Sequence, residues 1–255
     1  MSPIDDLVPL LKKLRMSGVL QTLELRTHQA VEDNLSHPEF LLRLLTDEVE
    51  RRDGKQLDQR VRRACFEHAK TLEDFDFHFN PTIPKAKVID LATCGFIEKK
   101  QNVLFVGPTG VGKSHVAQAL GHRACRAGFT ALYTSAHDML GQLRAARADN
   151  SYDRRLARYS SPEVLIIDDL GLRSLTRDEP VDLYEIIRQR YERTSTVITS
   201  NRDVTELASL FGDPLLAAAA MDRLLHGAHV IVMDGASYRN PPPRAARANT
   251  KEARS

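Results

Sequence analysis

The run GPTGVGKS at residues 107–114 constrains the fold of this chain more than any other segment. It satisfies the pattern G-x-x-x-x-G-K-[ST]. The apolar run NVLFV precedes it at 102–106, and SHVAQALGHRACRAG, with helical character, follows it. A strand, a glycine-rich loop and a helix form the context in which that spacing has a physical use. Gly107, Gly110 and Gly112 allow backbone angles that a side chain would block. The loop amides can then turn inward on phosphate groups at the positive end of the following helix. The candidate phosphate-binding residues are Gly107, Pro108, Thr109, Gly110, Val111, Gly112, Lys113, Ser114 and His115. Lys113 is placed to neutralise β- and γ-phosphates, and Ser114 to give its hydroxyl to Mg²⁺. ATP and Mg²⁺ are therefore the expected cofactors.

A strand and a helix imply partners of the same kind. Apolar runs recur at 130–134, 164–167, 196–200 and 229–233, with helical stretches between them. Apolar strands alternating with helices predict an α/β domain around a parallel sheet covered on both faces. SPEVLIIDDLG ends one such strand on two acids. Asp168 is a candidate magnesium-holding acid, and Asp169 a candidate base for polarising the attacking water. These acids would repel each other without a cation. The next strand ends in TSNRD, which puts the amide of Asn201 at the carboxyl rim of the sheet, where ligands sit in open α/β folds. That amide is a candidate for orienting the water beside the γ-phosphate.

Residues 1–70 carry no strand signal. Leu7, Leu10, Leu11 and Leu14 recur at helical spacing, and Gly18 is expected to interrupt or end that helix. Ser36 with Glu39 reads as a capping box that starts a second helix over Leu41, Leu42, Leu44, Leu45 and Val49. The region reads as a small all-helical N-terminal domain for oligomerisation or partner binding. Residues 71–84 read as a linker: Phe75, Phe77 and Phe79 alternate with polar residues before Pro81 and Pro84. Those phenylalanines either anchor the linker on the next domain or take a place at the base of the nucleotide. The nucleotide domain is expected over 85–236, followed by a basic, proline-rich, disordered tail at 237–255.

Charge and composition limit the partners. The 36 basic and 34 acidic residues nearly cancel, so nucleic-acid contact must come from local clusters. Arg144, Arg147, Arg154, Arg155 and Arg158 form one, and Arg51, Arg52, Lys55, Arg60, Arg62 and Arg63 another. Neither is interleaved with aromatics, which favours duplex backbone over single strands. Cys65, Cys94 and Cys125 are too scattered for a zinc site or a disulfide framework. With no signal peptide and no apolar run near the ~18 residues that span a bilayer, a cytoplasmic protein without membrane contact is expected.

The order GPTGVGKS, VLIIDDLG, TSN and then MDRLLHGAHVIVMDGASYR resembles the AAA+ ATPases, and within them the IstB/DnaC group. NLSHPEFLLRLLTDEVERR and KTLEDFDFHFNP resemble the branch that helps insertion sequences transpose. The resemblance implies a five-stranded P-loop core in the order 5-1-4-3-2. It also implies a homo-oligomer with ATP between subunits, each site completed by a neighbour's arginine. Arg223 in MDRLL matches that position best, with Arg202 second, and Arg239 matches a residue of sensor type. Asp169 stands where many such enzymes have the longer glutamate, which implies slow turnover, stimulated by DNA or a partner. The function implied is a DNA-binding helper ATPase that assembles on duplex target DNA and recruits or stimulates a cognate transposase. The alternatives are a replicative helicase loader of the DnaC type, a P-loop small-molecule kinase, and a nucleotide-gated binding module.

Overall fold

A computed structural model describes residues 3–240. The rest of the tail, and the disorder expected for it, lie outside the described residues. The chain divides into two compact units, Met1–Gln59 and Arg60–Ser255.

The first unit holds α1 (Pro3–Lys13), α2 (Ser17–Glu32) and most of α3 (His37–Ala64). Asp5 and Asp6 open α1 and Lys12 and Lys13 close it, matching the helix dipole at each end. Gly18 does not end this helix. It lies in the first turn of α2, where a Cβ would stand 2.7 Å from Cα of Glu48. The close approach lets the Glu48 carboxylate accept from the amides of Gly18 at 2.5 Å and Val19 at 3.2 Å. Those helix-start amides have no intrahelical acceptor, so a side chain from α3 takes that place. At the start of α3, Glu39 accepts from the Ser36 amide at 2.9 Å and from its hydroxyl at 2.6 Å. The buried core is small: Val19, Leu23 and Leu44. Leu10, Leu14, Leu25, Leu41, Leu42 and Leu45 are exposed.

The second unit continues with α4 (Lys85–Leu91), α5 (Gly95–Glu98), β1 (Val103–Val106), α6 (Lys113–Arg126), β2 (Ala131–Ser135), α7 (Ala136–Ala148), α8 (Tyr152–Ser160) and β3 (Val164–Leu170). Then come α9 (Glu179–Arg190), β4 (Ser195–Ser200), α10 (Val204–Leu207), a 3₁₀ turn (Ala208–Phe211), α11 (Pro214–Leu225) and β5 (His229–Val232). The sheet order is β2-β3-β4-β1-β5, with every adjacent pair parallel. Read from the other edge, this is the expected 5-1-4-3-2. Each expected apolar run is a strand, shifted by a few residues.

Strands β1 and β4 are buried along their whole length, so both sheet faces need cover. Successive side chains of a strand point to opposite faces. Leu165 and Ile167 of β3 join the core formed with α7, α8, α9 and α11. Ile166, between them, faces α6, where a Cβ on Gly121 would lie 2.6 Å from its Cδ1. Glycine at 121 lets α6 lie close on the sheet, and that sets where its N-terminus meets the strand ends.

Candidate functional site

The phosphate loop leaves β1 at Gly107, whose amide donates to Ser200 O at 3.2 Å at the end of β4. Gly107 has φ 143°, and a Cβ there would lie 2.0 Å from Met233 O, just beyond β5. The loop can therefore start between two strand ends only with glycine. Gly112, at φ 103°, forms the N-cap of α6. Lys113 follows it and is buried. Its Nζ donates to Gly107 O and Pro108 O, each at 2.8 Å, and to Asn201 Oδ1 at 2.6 Å. Burial lowers the Lys113 pKa, Asp169 and Asp168 draw it back up, and Arg239 adds to the lowering. The first amides of α6 have no intrahelical acceptor. Among the described residues, the Lys113 and Ser114 amides donate to no other backbone group.

The acid pair sits at an irregularity in the sheet. Ile167 pairs with Ile198 and Leu170 with Ser200, so β3 holds one more residue than β4 over this stretch. That bulge re-aims consecutive side chains. Asp169 adopts φ 57°, a left-handed conformation that Asp tolerates better than most residues. The result is asymmetric: Asp168 is buried and Asp169 reaches solvent. Asp168 accepts from Tyr133 Oη at 2.6 Å on Oδ2 and from the Thr199 hydroxyl on Oδ1. Thr199 Oγ1 in turn accepts from the Asp169 amide at 2.9 Å. Desolvation raises the Asp169 pKa above the ordinary range, and the Asp168 charge raises it further. Burial, with Asp168 next, keeps the Tyr133 hydroxyl protonated as a donor.

Tyr133 and Thr199 were not singled out in the sequence. Each lies in an apolar strand, and only the β2-β3-β4 order brings them to Asp168. Their spacing carries no local signal.

Two segments press on the phosphate loop, the 71–84 stretch and the residues after β5. Phe75 of the 71–84 stretch lies where a Cβ on Gly112 would fall, 2.5 Å from its ring. His115 Nε2 bonds to Thr71 O at 2.7 Å, and its ring meets Phe75 edge-on with centroids 5.2 Å apart. Beyond β5, Asn80 exchanges two bonds of 3.0 Å with Ala236, and the Tyr238 amide donates to Gly110 O at 2.8 Å. Ser237 lies directly against Gly110. The Arg239 charge contributes to lowering the pKa values of both Lys113 and Asp169.

The other arginines lie elsewhere. Arg202 Nε donates to Gly171 O at 2.6 Å, in the loop after the acid pair. Arg223 donates to Ala219 O at 2.9 Å and stacks 5.5 Å from the Tyr184 ring. Of the expected DNA set, Arg147 binds the buried Asp182, and Arg144 reaches Glu179 at 4.0 Å. Arg155 donates to Gln142 at 3.2 Å, and Arg158 to Cys65 Sγ at 3.9 Å. Arg154 is exposed. The site's donors and acceptors fit a magnesium–triphosphate: loop amides and Lys113 for phosphate oxygens, and a hydroxyl and a fixed carboxylate for a hard cation. Among the described residues no helix is long and apolar enough to cross a membrane.

The family model for IstB-like ATP binding proteins matches residues 9–246. A Mycobacterium tuberculosis protein named as an ATP-binding protein in an insertion sequence is 42% identical over 230 residues, covering 90% of this chain and 92% of that one. The protein named for ATP binding in insertion sequence IS21 of Pseudomonas aeruginosa is 36% identical, covering 97% of this chain and 94% of its own. Among solved structures, that of DnaI matches with TM-score 0.57 and 23% identity over 65% of this chain and 92% of its own. The DnaC helicase loader matches with TM-score 0.51 and 23% identity over 58% and 87%.

Proposed function

The chain belongs to the family of IstB-like ATP binding proteins and is an ATPase, and we propose that it assists transposition of an insertion sequence by assembling on duplex DNA and recruiting or stimulating a cognate transposase. The observation that carries this reading is likeness to proteins named for insertion sequences over nine-tenths of the chain. The solved DnaC helicase loader and DnaI share the fold at 23% identity, which supports no common partner.

Residues Gly107 to His115 bind the triphosphate. Lys113 exchanges its bonds to Gly107, Pro108 and Asn201 for phosphate oxygens. Ser114 and Asp168 hold magnesium, which when bound neutralises phosphate charge. Asp169 polarises the attacking water, and Asn201, freed from Lys113, orients it. Arg223 reaches the site of the neighbouring subunit and stabilises charge on the transferred group, Arg202 being the second choice. Turnover is slow and rises with DNA or transposase. The helical N-terminal region supplies an assembly or partner surface, supported by its exposed leucines. Arg144, Arg147, Arg154, Arg155 and Arg158 supply contacts to DNA phosphates without reading sequence.

Co-purification tests the reading. With ATP and duplex DNA present, the transposase encoded beside this protein is retained and a hexameric helicase is not. Retention of the helicase alone would replace this reading with a loader.

A further inference from the structure

Where β3 carries its acids, the ladder to β4 loses its register: Ile167 pairs with Ile198 and Leu170 with Ser200, so Asp168 and Asp169 stand against Thr199 alone. In a regular strand these two acids would point to opposite faces of the sheet. The bulge instead lets both charges act on Lys113. A broken ladder cannot pair every backbone group, and those near the core need other partners.

Side chains from the end of β4 take those places. The Asp169 amide donates to Thr199 Oγ1 at 2.9 Å. The buried Ser200 hydroxyl donates to Leu170 O at 2.7 Å and accepts from the Arg202 amide at 3.0 Å. Arg202 Nε donates to Gly171 O at 2.6 Å. Residues 199, 200 and 202 thus hold residues 169, 170 and 171 in order. The Arg202 side chain lies directly on the turn: Gly171 has φ 82°, and a Cβ there would stand 2.9 Å from Arg202 Cδ. Asp169 itself is left-handed at φ 57°, a conformation that persists only where its surroundings fix it. Between Ser200 and Arg202 stands Asn201, whose amide oxygen accepts from Lys113.

The structure assigns Ser200 and Arg202 as positioning residues that hold Asp169 at the bulge through the backbone of Leu170 and Gly171. Arg202 then acts through an N–H group within its own chain, not through its charge in a neighbour's site. This rests on the reading of Asp169 as the residue that polarises water.

Hydrolysis by the full-length protein at saturating ATP, magnesium and duplex DNA tests the assignment. Arg202→Gln keeps an N–H where Nε stands and loses the charge, whereas Arg202→Met fills the same length without a donor. Arg202→Met lowers kcat about tenfold or more and leaves KM for ATP within about twofold of wild type, as expected for a displaced catalytic group. Arg202→Gln recovers most of that loss. A residue needed for its charge would fail alike in both variants. Ser200→Ala lowers kcat in the same way, and carries the same test should Arg202→Met not fold. In an Asp169→Asn background neither Arg202→Met nor Ser200→Ala lowers kcat further, because each acts through Asp169. No recovery with Arg202→Gln, or additive losses in the double variants, would overturn the assignment. If Asp169→Asn hydrolyses ATP as wild type does, the reading of Asp169 and the assignment fall together. If Asp169→Asn is slow while Arg202→Met and Ser200→Ala keep the wild-type kcat, only the assignment falls.

Discussion

Asp168 accepts two hydroxyl bonds, from Tyr133 and Thr199, and both partners lie on strands that flank β3. A carboxylate held in this way presents its remaining lone pairs in a fixed direction. Groups that orient a metal-holding residue typically contribute 10–100-fold in metal affinity or activity. Tyr133→Phe and Thr199→Val are therefore expected to raise the magnesium concentration giving half-maximal hydrolysis by about tenfold or more. Nucleotide affinity without magnesium should stay as in wild type, because neither hydroxyl touches the phosphate loop. A fall in maximal rate at saturating magnesium with no shift in its midpoint would assign these hydroxyls another role. Thr199 also receives the Asp169 amide, so Thr199→Val should affect Asp169 as well and cost more than Tyr133→Phe. The phosphate loop and the acid pair were legible as motifs because their residues are neighbours in the chain. These hydroxyls were not, because Tyr133, Asp168 and Thr199 are separated by some thirty residues each and meet only across the sheet.

At the scale of elements, buried acids fasten segments that hydrophobic packing alone leaves loose. Glu179, at the start of α9, binds Arg173 through both oxygens at 2.7 and 2.8 Å and accepts from the Thr176 amide at 2.9 Å. It closes the loop that follows the acid pair. Its pKa falls from 4.5 to about 2, chiefly through Arg173, against an opposing desolvation. A lowered carboxyl pKa gives stability that is fully present above 4.5 and is lost as pH falls toward 2. Glu179→Gln should lower stability at neutral pH by on the order of 2–3 kcal/mol. Denaturant titrations should show that difference shrinking below pH 4.5, and a constant difference down to pH 2 would reject the ion pair as its source. In the first unit, Gly18→Ala pushes a methyl into the α3 backbone at Glu48. The expected cost is about 1–3 kcal/mol by denaturation followed at the helix signal. The strand runs were readable from their apolar composition, and the covered parallel sheet followed from their alternation with helices. The α1–α2 break was not readable: glycine at 18 suggested an ending, while its physical role is a close helix crossing.

At the scale of the whole molecule, the question is whether one chain holds a complete site. Lys113, Asn201, Asp168 and Asp169 come together within it, and the Arg239 charge is felt by Lys113 and Asp169. Arg223 does not: it lies on α11 against Tyr184, with no bond to the phosphate loop among the described residues. The family order of motifs made the sheet topology legible before any coordinates, but no pattern within one chain says what a second copy contributes. Mixing separates the two possibilities. Lys113→Ala cannot bind triphosphate productively, and Arg223→Ala cannot supply a finger, so each alone should hydrolyse ATP poorly. In an equimolar mixed assembly, a site is complete wherever the loop of an Arg223→Ala chain faces the arginine of a Lys113→Ala chain. Random mixing in a head-to-tail assembly restores about a quarter of the sites. Recovery should therefore reach about a quarter of wild-type hydrolysis, measured with DNA present to drive assembly. If Arg223 served its own chain, every site in the mixture would lack one of the two groups and no activity would return. Repeating the mixture with Arg202→Ala in place of Arg223→Ala shows which arginine crosses. Only the residue donated from the neighbour gives recovery, since a residue acting in its own chain stays defective beside the intact loop it accompanies.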